Sequence, residues 1–392
     1  MLAKTKRVDI RAISNPALER LVQAFEDHQL FLVGGMVRDL LLARKSTDYD
    51  LTTDATPKTM LEIAKKYQLT TRKSGLKFGC IVFIIDDYHF EVTTFRQENI
   101  YLNHRYPKEI KFITSIKDDL LRRDFTINAL AIDLKHENQL VDYVNGYKDL
   151  NERVIRTIIA PDISFQTDYL RILRALRFAY TLNFTFDGET ANAIKTYQAK
   201  ILDIPKIKIS QEIEKIILAK SKTSLLTLES LFVLIFPKLR QVDLKQNLLK
   251  MNLCKDYVLD DKNFLLLQLR YLFNGLVWLD IQKYLISYQF SKIISKQLKI
   301  LFKKQFRYSE LITIAKQADK GLINIFQLLY DIDLKIYDDF HLAYPDTALK
   351  QWPEVADMSY QELIEIVLKE IFQGQLKNNF EDIHNFIKNI YH

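Results

Sequence analysis

The period of the apolar residues changes once along this chain, and that change limits the fold more than any other feature. Before about residue 118, short β-branched and aromatic runs dominate: Gln29–Val33, the alternating stretch 47–53 (TDYDLTT), Phe78–Ile85 and Tyr88–Phe95. The last two flank Asp86–Asp87, the pattern of a hairpin. Helical spacing in this part is confined to 15–28, to Met36–Ala43 with Leu40, Leu41 and Leu42 expected inside, and to Pro57–Tyr67 starting near Thr56. Residues 96–110 are polar and show no period, so a loop is expected there. From about residue 118 onward, apolar residues recur at helical spacing almost to the end. Six of the nine glycines precede residue 190, which favours helix in the C-terminal half. The expected class is α+β, a small α/β head followed by an all-helical remainder.

Composition narrows the function classes. The chain is 48% hydrophobic and 27% charged, a globular balance. A net charge of +7 points to a polyanionic partner. Cys80 and Cys254 are the only cysteines. Two cysteines build neither a disulfide framework nor a zinc site, and a reducing cytoplasm is the simplest setting. The opening MLAKTKRVDIRAI carries charges with no apolar stretch behind them, so no signal peptide is expected. No apolar run nears the roughly 18 residues of a membrane span, and no membrane partner is expected.

Two segments in the head carry candidate chemistry. Gly34-Gly35-Met36-Val37-Arg38-Asp39 places a glycine pair between strand and helix. Such a turn lets a ligand approach the backbone, the helix start favours a phosphate, and Arg38 lies one turn in. A bare tight turn would read the same in isolation. Asp48-Tyr49-Asp50 follows at short distance, and on a strand that spacing aims both carboxylates to one face. Paired carboxylates repel unless a cation neutralises them, and hard oxygen ligands suit Mg²⁺. Two such ions would activate a sugar hydroxyl and hold a leaving pyrophosphate. Glu91, in the alternating strand Tyr88–Phe95, is a candidate third carboxylate or an ordinary surface acid.

Three later segments add cations. Arg122-Arg123, read as the start of a helix, would clamp a triphosphate, or would mark a charged helix entry capped by Asp124. In Asp168-Tyr169-Leu170-Arg171-Ile172-Leu173-Arg174-Ala175-Leu176-Arg177, the leucines form one stripe and Asp168 and Arg171 are helical neighbours. They make either a salt bridge or a base reader, with Arg174 and Arg177 bracing the pair or touching phosphates. Along Ser291–Arg307, Lys292, Lys296, Lys299 and Lys303 share a face, which is either solvated or set against RNA phosphates.

Taken in order, these segments resemble the class II tRNA nucleotidyltransferase and poly(A) polymerase family of the DNA polymerase β superfamily. The resemblance spans roughly residues 30–217, through LVGGMVRDLLLARKSTDYDLTTDATP, FEVTTFRQE, LLRRDFTINALAID, VDYVNGYKDLNERVIRT and TDYLRILRALRFA, with IKISQEIEKII less close. Thr167, Ala43, Asn103 and Lys208 differ from the family's usual residues, as does the single glycine of Val144-Asn145-Gly146.

The resemblance implies a nucleotidyltransferase head over 1–155, a base-recognising helical neck over 156–220, a body over 221–310 and a tRNA-binding tail over 311–392. It implies that Gly35 and Arg38 bind the incoming nucleotide, that Asp48 and Asp50 hold two Mg²⁺ ions, and that Glu91 is the third acid. Arg122 and Arg123 would bind triphosphate. Asp168 and Arg171 would read the base beside Arg174 and Arg177. The implied reaction is template-independent addition of C, C and A to the tRNA 3′ end from CTP and ATP. A loop over 97–109, with Asn103, His104 and Arg105, would switch the site to A. Poly(A) polymerases and enzymes adding only CC or only A are the near alternatives. A non-catalytic RNA-binding module is the distant one.

Overall fold

The computed structural model describes residues 6–73, 75–102, 106–303, 305–330, 342, 359–373 and 375–391. Asn103, His104 and Arg105 lie outside these residues, and with them the centre of the expected switching loop. The chain divides into two units, Met1–Pro237 and Lys238–His392.

The first unit is built on a seven-stranded mixed sheet. Its strands are β1 (Leu30–Val33), β2 (Tyr49–Thr53), β3 (Thr70–Arg72), β4 (Cys80–Ile85), β5 (Tyr88–Thr94), β8 (Leu130–Asp133) and β9 (Gln139–Asp142), in the order β3-β4-β5-β2-β1-β8-β9. Every pairing is antiparallel except β2 with β5. That exception sets Asp50 opposite Glu91 in register. Phe31, Val33, Phe95, Leu120, Ala129 and Ala131 form a buried cluster against the sheet.

Helices α1 (Pro16–Ala24) and α3 (Pro57–Lys66) start where local chemistry dictates. Each has proline in its first turn, and Asn15 and Thr56 cap them through their side chains. Helix α2 (Gly35–Leu41) buries Met36, Val37 and Arg38, while Leu40, Leu41 and Leu42, expected inside, are only half-buried. The β4–β5 turn forms as expected, with Asp86 left-handed at φ 52°.

Two longer stretches of this unit differ from expectation. The stretch 96–110 is not a loop: β6 (Arg96–Leu102) and β7 (Tyr106–Phe112) pair antiparallel. Polar residues along both strands hide a period of two that Ile110 and Phe112 still carry. Residues 130–142 supply β8 and β9 where continuous helical spacing was expected. Leu130, Ala131 and Ile132 are all buried, and so short an apolar run fits a core strand as well as a helix.

Helices dominate the rest of the unit: α4 (Ile116–Leu121), α5 (Gly146–Glu152), α6 (Pro161–Thr167), α7 (Leu170–Leu182), α8 (Gly188–Tyr197), α9 (Lys206–Leu218) and α10 (Glu229–Ile235). One parallel strand pair, Val154–Ile155 with Thr185–Phe186, interrupts them. Helix α7 buries Leu170, Ile172, Leu173, Ala175, Phe178 and Tyr180.

The second unit is helical throughout its described residues. Asp261–Leu272 is its most buried helix, with Phe264, Leu265, Leu266, Leu267, Leu269 and Leu272 inside. A separate cluster joins Leu363 and Val367 to Ile383 and Ile387. In Lys292–Leu301 the buried stripe is Ile294, Leu298 and Leu301. Lys292, Lys296 and Lys299 are exposed, and Lys303 pairs with Glu310. Among the described residues, no helix is long and apolar enough to cross a membrane.

Candidate active site

The turn after β1 brings backbone, carboxylate and guanidinium close together. Gly34 has φ 69° and ψ −131°, a region open almost only to glycine. A Cβ there would lie 3.1 Å from Arg123 Nη1 and 3.8 Å from Asp50 Oδ2. Helix α2, which follows, has only seven residues. The positive charge over the turn therefore comes chiefly from arginine side chains, and less from the helix start than its sequence suggested.

Asp50 lies on β2, but Asp48 precedes the strand and is exposed. The two still line one cavity of about 850 Å³. Glu91 is not among its lining residues and stands beside Asp50 across the parallel pair. Burial pushes the Asp50 carboxyl up to about 6, and Glu91 and Asp48 add to the rise against the pull of Arg123 and Arg38.

The cavity also receives Gly35, Arg38, Arg122, Arg123, Asp168, Arg171, Arg174 and Arg177, so the residues expected to hold nucleotide and metal meet there, with Glu91 the exception. Among the described residues, nine Arg and Lys side chains line it against four Asp, and the excess suits a polyanion.

Arg122 and Arg123 are not at a helix start: they follow the last residue of α4. Their positions depend on Asp119, whose side chain is fully buried. Its carboxylate accepts from Arg122 Nη2 at 2.7 Å, from Arg123 Nη2 at 3.4 Å and from the Arg96 backbone amide at 3.2 Å. Burial opposes its charge, and the two guanidinium groups overcome this and lower its pKa. Arg123 Nε is buried without a hydrogen-bond partner. Asp124 accepts from Phe125 N and Asn128 Nδ2. It also takes Arg174 at 2.6 Å. Burial raises its pKa, and Arg174 more than offsets this, holding it at about 2.

Helix α7 forms the facing wall. Asp168 Oδ1 accepts from the Leu170 amide at 3.0 Å. Arg171 donates to Ser164 Oγ at 2.9 Å and to the backbone oxygen of Arg122 at 3.0 Å. Both Asp168 and Arg171 are buried. Arg177 pairs with Glu212 on α9. Arg38 donates to Asn128 Oδ1 at 2.8 Å. The Phe178 ring carries Arg38, Arg174 and Arg177 at 5.0, 5.2 and 4.0 Å from its centroid.

Sequence reasoning missed Asp119, Asn128, Phe178, Glu212, Phe78, Arg96 and Lys215 as parts of this site. The two phenylalanines carried no polar signal. Asp119 sits in the first turn of α4, where an acid is ordinary for a helix dipole.

The strand-turn-helix presents carboxylates to an arginine-lined cleft. Residues 30–156 match the family model described as the poly A polymerase head domain. A CCA-adding enzyme of Bacillus pumilus is 42% identical over 190 residues, 48% of this chain and 46% of that protein. One from Bacillus subtilis is 38% identical over 224 residues, 57% of this chain and 54% of that protein. The chain thus spans about half the length of these curated relatives. One from Streptococcus agalactiae is 28% identical over 403 residues, 95% of each chain. Among solved structures, the Bacillus stearothermophilus CCA-adding enzyme in complex with CTP superposes with a TM-score of 0.73 at 20% identity, covering 96% of this chain and 98% of that one. Residues 30–156 thus resemble a poly A polymerase head domain, and the chain as a whole is similar to CCA-adding enzymes.

Proposed function

We propose that this chain adds C, C and A in turn to the 3′ end of tRNA, using CTP and ATP and releasing pyrophosphate. The observation that carries this reading is the meeting of Asp48 and Asp50, the Arg122–Arg123 clamp and the Asp168–Arg171 pair in one cavity. Relatives named as CCA-adding enzymes support it, as do similar structures in complex with CTP and with tRNA.

The RNA 3′-hydroxyl attacks the α-phosphorus of the incoming nucleotide. The bond to the β-phosphate breaks, and pyrophosphate leaves. Gly35, Arg38, Arg122 and Arg123 take the triphosphate through charge-assisted hydrogen bonds. C and A each present an exocyclic amine beside an acceptor ring nitrogen. Asp168 accepts from the amine and Arg171 donates to the ring nitrogen, whereas G and U show the opposite pattern and leave both groups unpaired. Arg174 and Arg177 brace this wall through Asp124 and Glu212.

The donor set fits the divalent-metal dependence that the family implies. Asp50, raised to about 6 among acids, is a carboxyl whose charged form a bound cation would favour. Among the described residues, no group of three or more His, Cys, Asp or Glu side chains could hold a metal by itself. Magnesium commonly takes one or two carboxylates and completes its shell from substrate phosphates and water. Asp48 and Asp50 would hold two Mg²⁺ ions, with Glu91 as the third acid behind Asp50. When bound, the ions supply charge neutralisation at the reacting phosphate.

The head over 1–155 and the neck over 156–220 share this site in our division of the chain. The body over 221–310, with its exposed lysines, and the tail over 311–392 grip the tRNA. Cys80 and Cys254 as free thiols accord with a cytoplasmic setting.

The test is sequencing of products from tRNA lacking one, two or three terminal nucleotides, with CTP and ATP supplied separately and together. The reading requires CC from CTP alone and CCA from both. No incorporation under any condition would favour a binding module instead. Asp48→Ala and Asp50→Ala should each abolish transfer with the fold retained, and near-normal incorporation by either would sink the metal assignment. Asp168→Ala and Arg171→Ala should admit UTP and GTP more than they weaken triphosphate binding. Full selectivity in both variants would make α7 a phosphate clamp.

A further inference from the structure

The mouth of the cavity has a feature that the transfer reading does not use. Phe78 lines the cavity together with Asp48 and Asp50, yet 48% of it is exposed. A large apolar ring left open at a catalytic cleft costs hydration free energy unless a ligand covers it. The local backbone holds it there. Phe78 ends a short 3₁₀ turn over Leu76–Phe78, and its carbonyl accepts from Arg96 Nη1. Gly79, at φ 75°, lets the chain turn sharply into β4. A Cβ at Gly79 would sit 2.6 Å from the Phe112 ring, so the glycine also lets this second aromatic close against the turn. Phe112 is itself 40% exposed.

The surroundings are basic. Arg72, Lys73 and Lys77 are exposed on the segment leading to Phe78, and Lys111 is exposed beside Phe112. Open aromatic faces interleaved with Arg and Lys form the physical pattern that holds single-stranded nucleic acid, because every base has a stacking face and every linkage carries a charge. A nucleotide's phosphates are already served by the arginine clamp deeper in the cavity. The strand that must reach the same carboxylates from outside is the unpaired 3′ end of the RNA.

We infer that Phe78 is the stacking platform for the terminal base of the RNA acceptor strand, with Phe112 and the flanking lysines extending the contact along the strand. This deepens the transfer reading and rests on it. Stacking orients the 3′-hydroxyl toward the carboxylates and tolerates any base. The growing end therefore finds the same support whether it terminates in the discriminator nucleotide or in C.

The experiment compares wild type with Phe78→Ala, Phe78→Leu and Phe78→Trp in steady-state CTP incorporation on tRNA lacking all three terminal nucleotides. Phe78→Ala should raise the KM for tRNA by roughly ten-fold, the order expected for one lost stacking contact, and leave the KM for CTP within about two-fold. Phe78→Trp should restore the tRNA KM, and Phe78→Leu, apolar but not aromatic, should not. The ring is half exposed, so these variants should melt like wild type. If Phe78→Ala melts early, the comparison of Phe78→Trp with Phe78→Leu decides alone. An unchanged tRNA KM in Phe78→Ala, equal rescue by Leu and Trp, or a rise in the CTP KM alone would overturn the inference with the transfer reading intact. Failure of wild type itself to incorporate CTP would overturn both.

Discussion

At the scale of single residues, the site depends on groups that do not themselves touch a ligand in our reading. Asp119 is the clearest. Its buried carboxylate holds Arg122 and Arg123, and it reaches the backbone at the start of β6. Removing one partner of a buried ion pair typically costs about 3–5 kcal/mol, because the remaining charge is left uncompensated. Asp119→Asn should therefore lower the melting temperature. It should also raise the KM for CTP and for ATP by the same factor, roughly ten-fold or more. Equality is the diagnostic point, since the triphosphate is common to both substrates and the base is not. Paired titrations of the two nucleotides check this, and a loss confined to one of them would place Asp119 outside the clamp. The sequence made Arg122 and Arg123 visible because two arginines beside an apolar run are unusual. It hid Asp119, because an acid in a helix's first turn has an ordinary explanation.

At the scale of elements, the β1–α2 turn needs glycine at Gly34, where φ is 69°. Gly34→Ala would force a side chain into φ 69°, with Arg123 Nη1 at 3.1 Å. Backbone strain of that kind costs on the order of 1–3 kcal/mol. The guanidinium must also give way by a few tenths of an ångström. The expected result is a small fall in melting temperature with a larger rise in the KM for CTP, read by calorimetry and kinetics on one preparation. An unaltered KM would show that the turn has room to relax. This element was legible in the sequence because glycine pairs flanked by a strand and a helix have few other uses. The β6–β7 hairpin was not: Arg96, Gln97, Glu98 and Asn99 in succession look like solvated loop, and strand pairing is a long-range property that composition does not report. Strands β8 and β9 were masked for the opposite reason. Apolar runs as short as Leu130–Ile132 fit a helix or a core strand equally, and only their place in the sheet decides.

At the scale of the whole molecule, every described residue lining the cavity belongs to the first unit. Met1–Pro237 has its own buried sheet and helices, the usual condition for folding alone. A fragment ending at Pro237 should give a cooperative melt and bind CTP with an affinity close to that of the full chain by isothermal titration calorimetry. It should lose most of its affinity for tRNA in the same assay. If CTP affinity collapsed while the fragment remained folded, the cavity would need the second unit.

Arg171, which faces the base in our reading, donates to the backbone oxygen of Arg122 in the triphosphate clamp. A displacement of α7 that makes room for a purine must load that bond, so the two halves of the nucleotide are not sensed independently. Such coupling is reciprocal. If the cavity grips pyrophosphate differently beside adenine than beside cytosine, then pyrophosphate must shift the preference between the two bases by the same factor. The departing product would then help to set which nucleotide is admitted next.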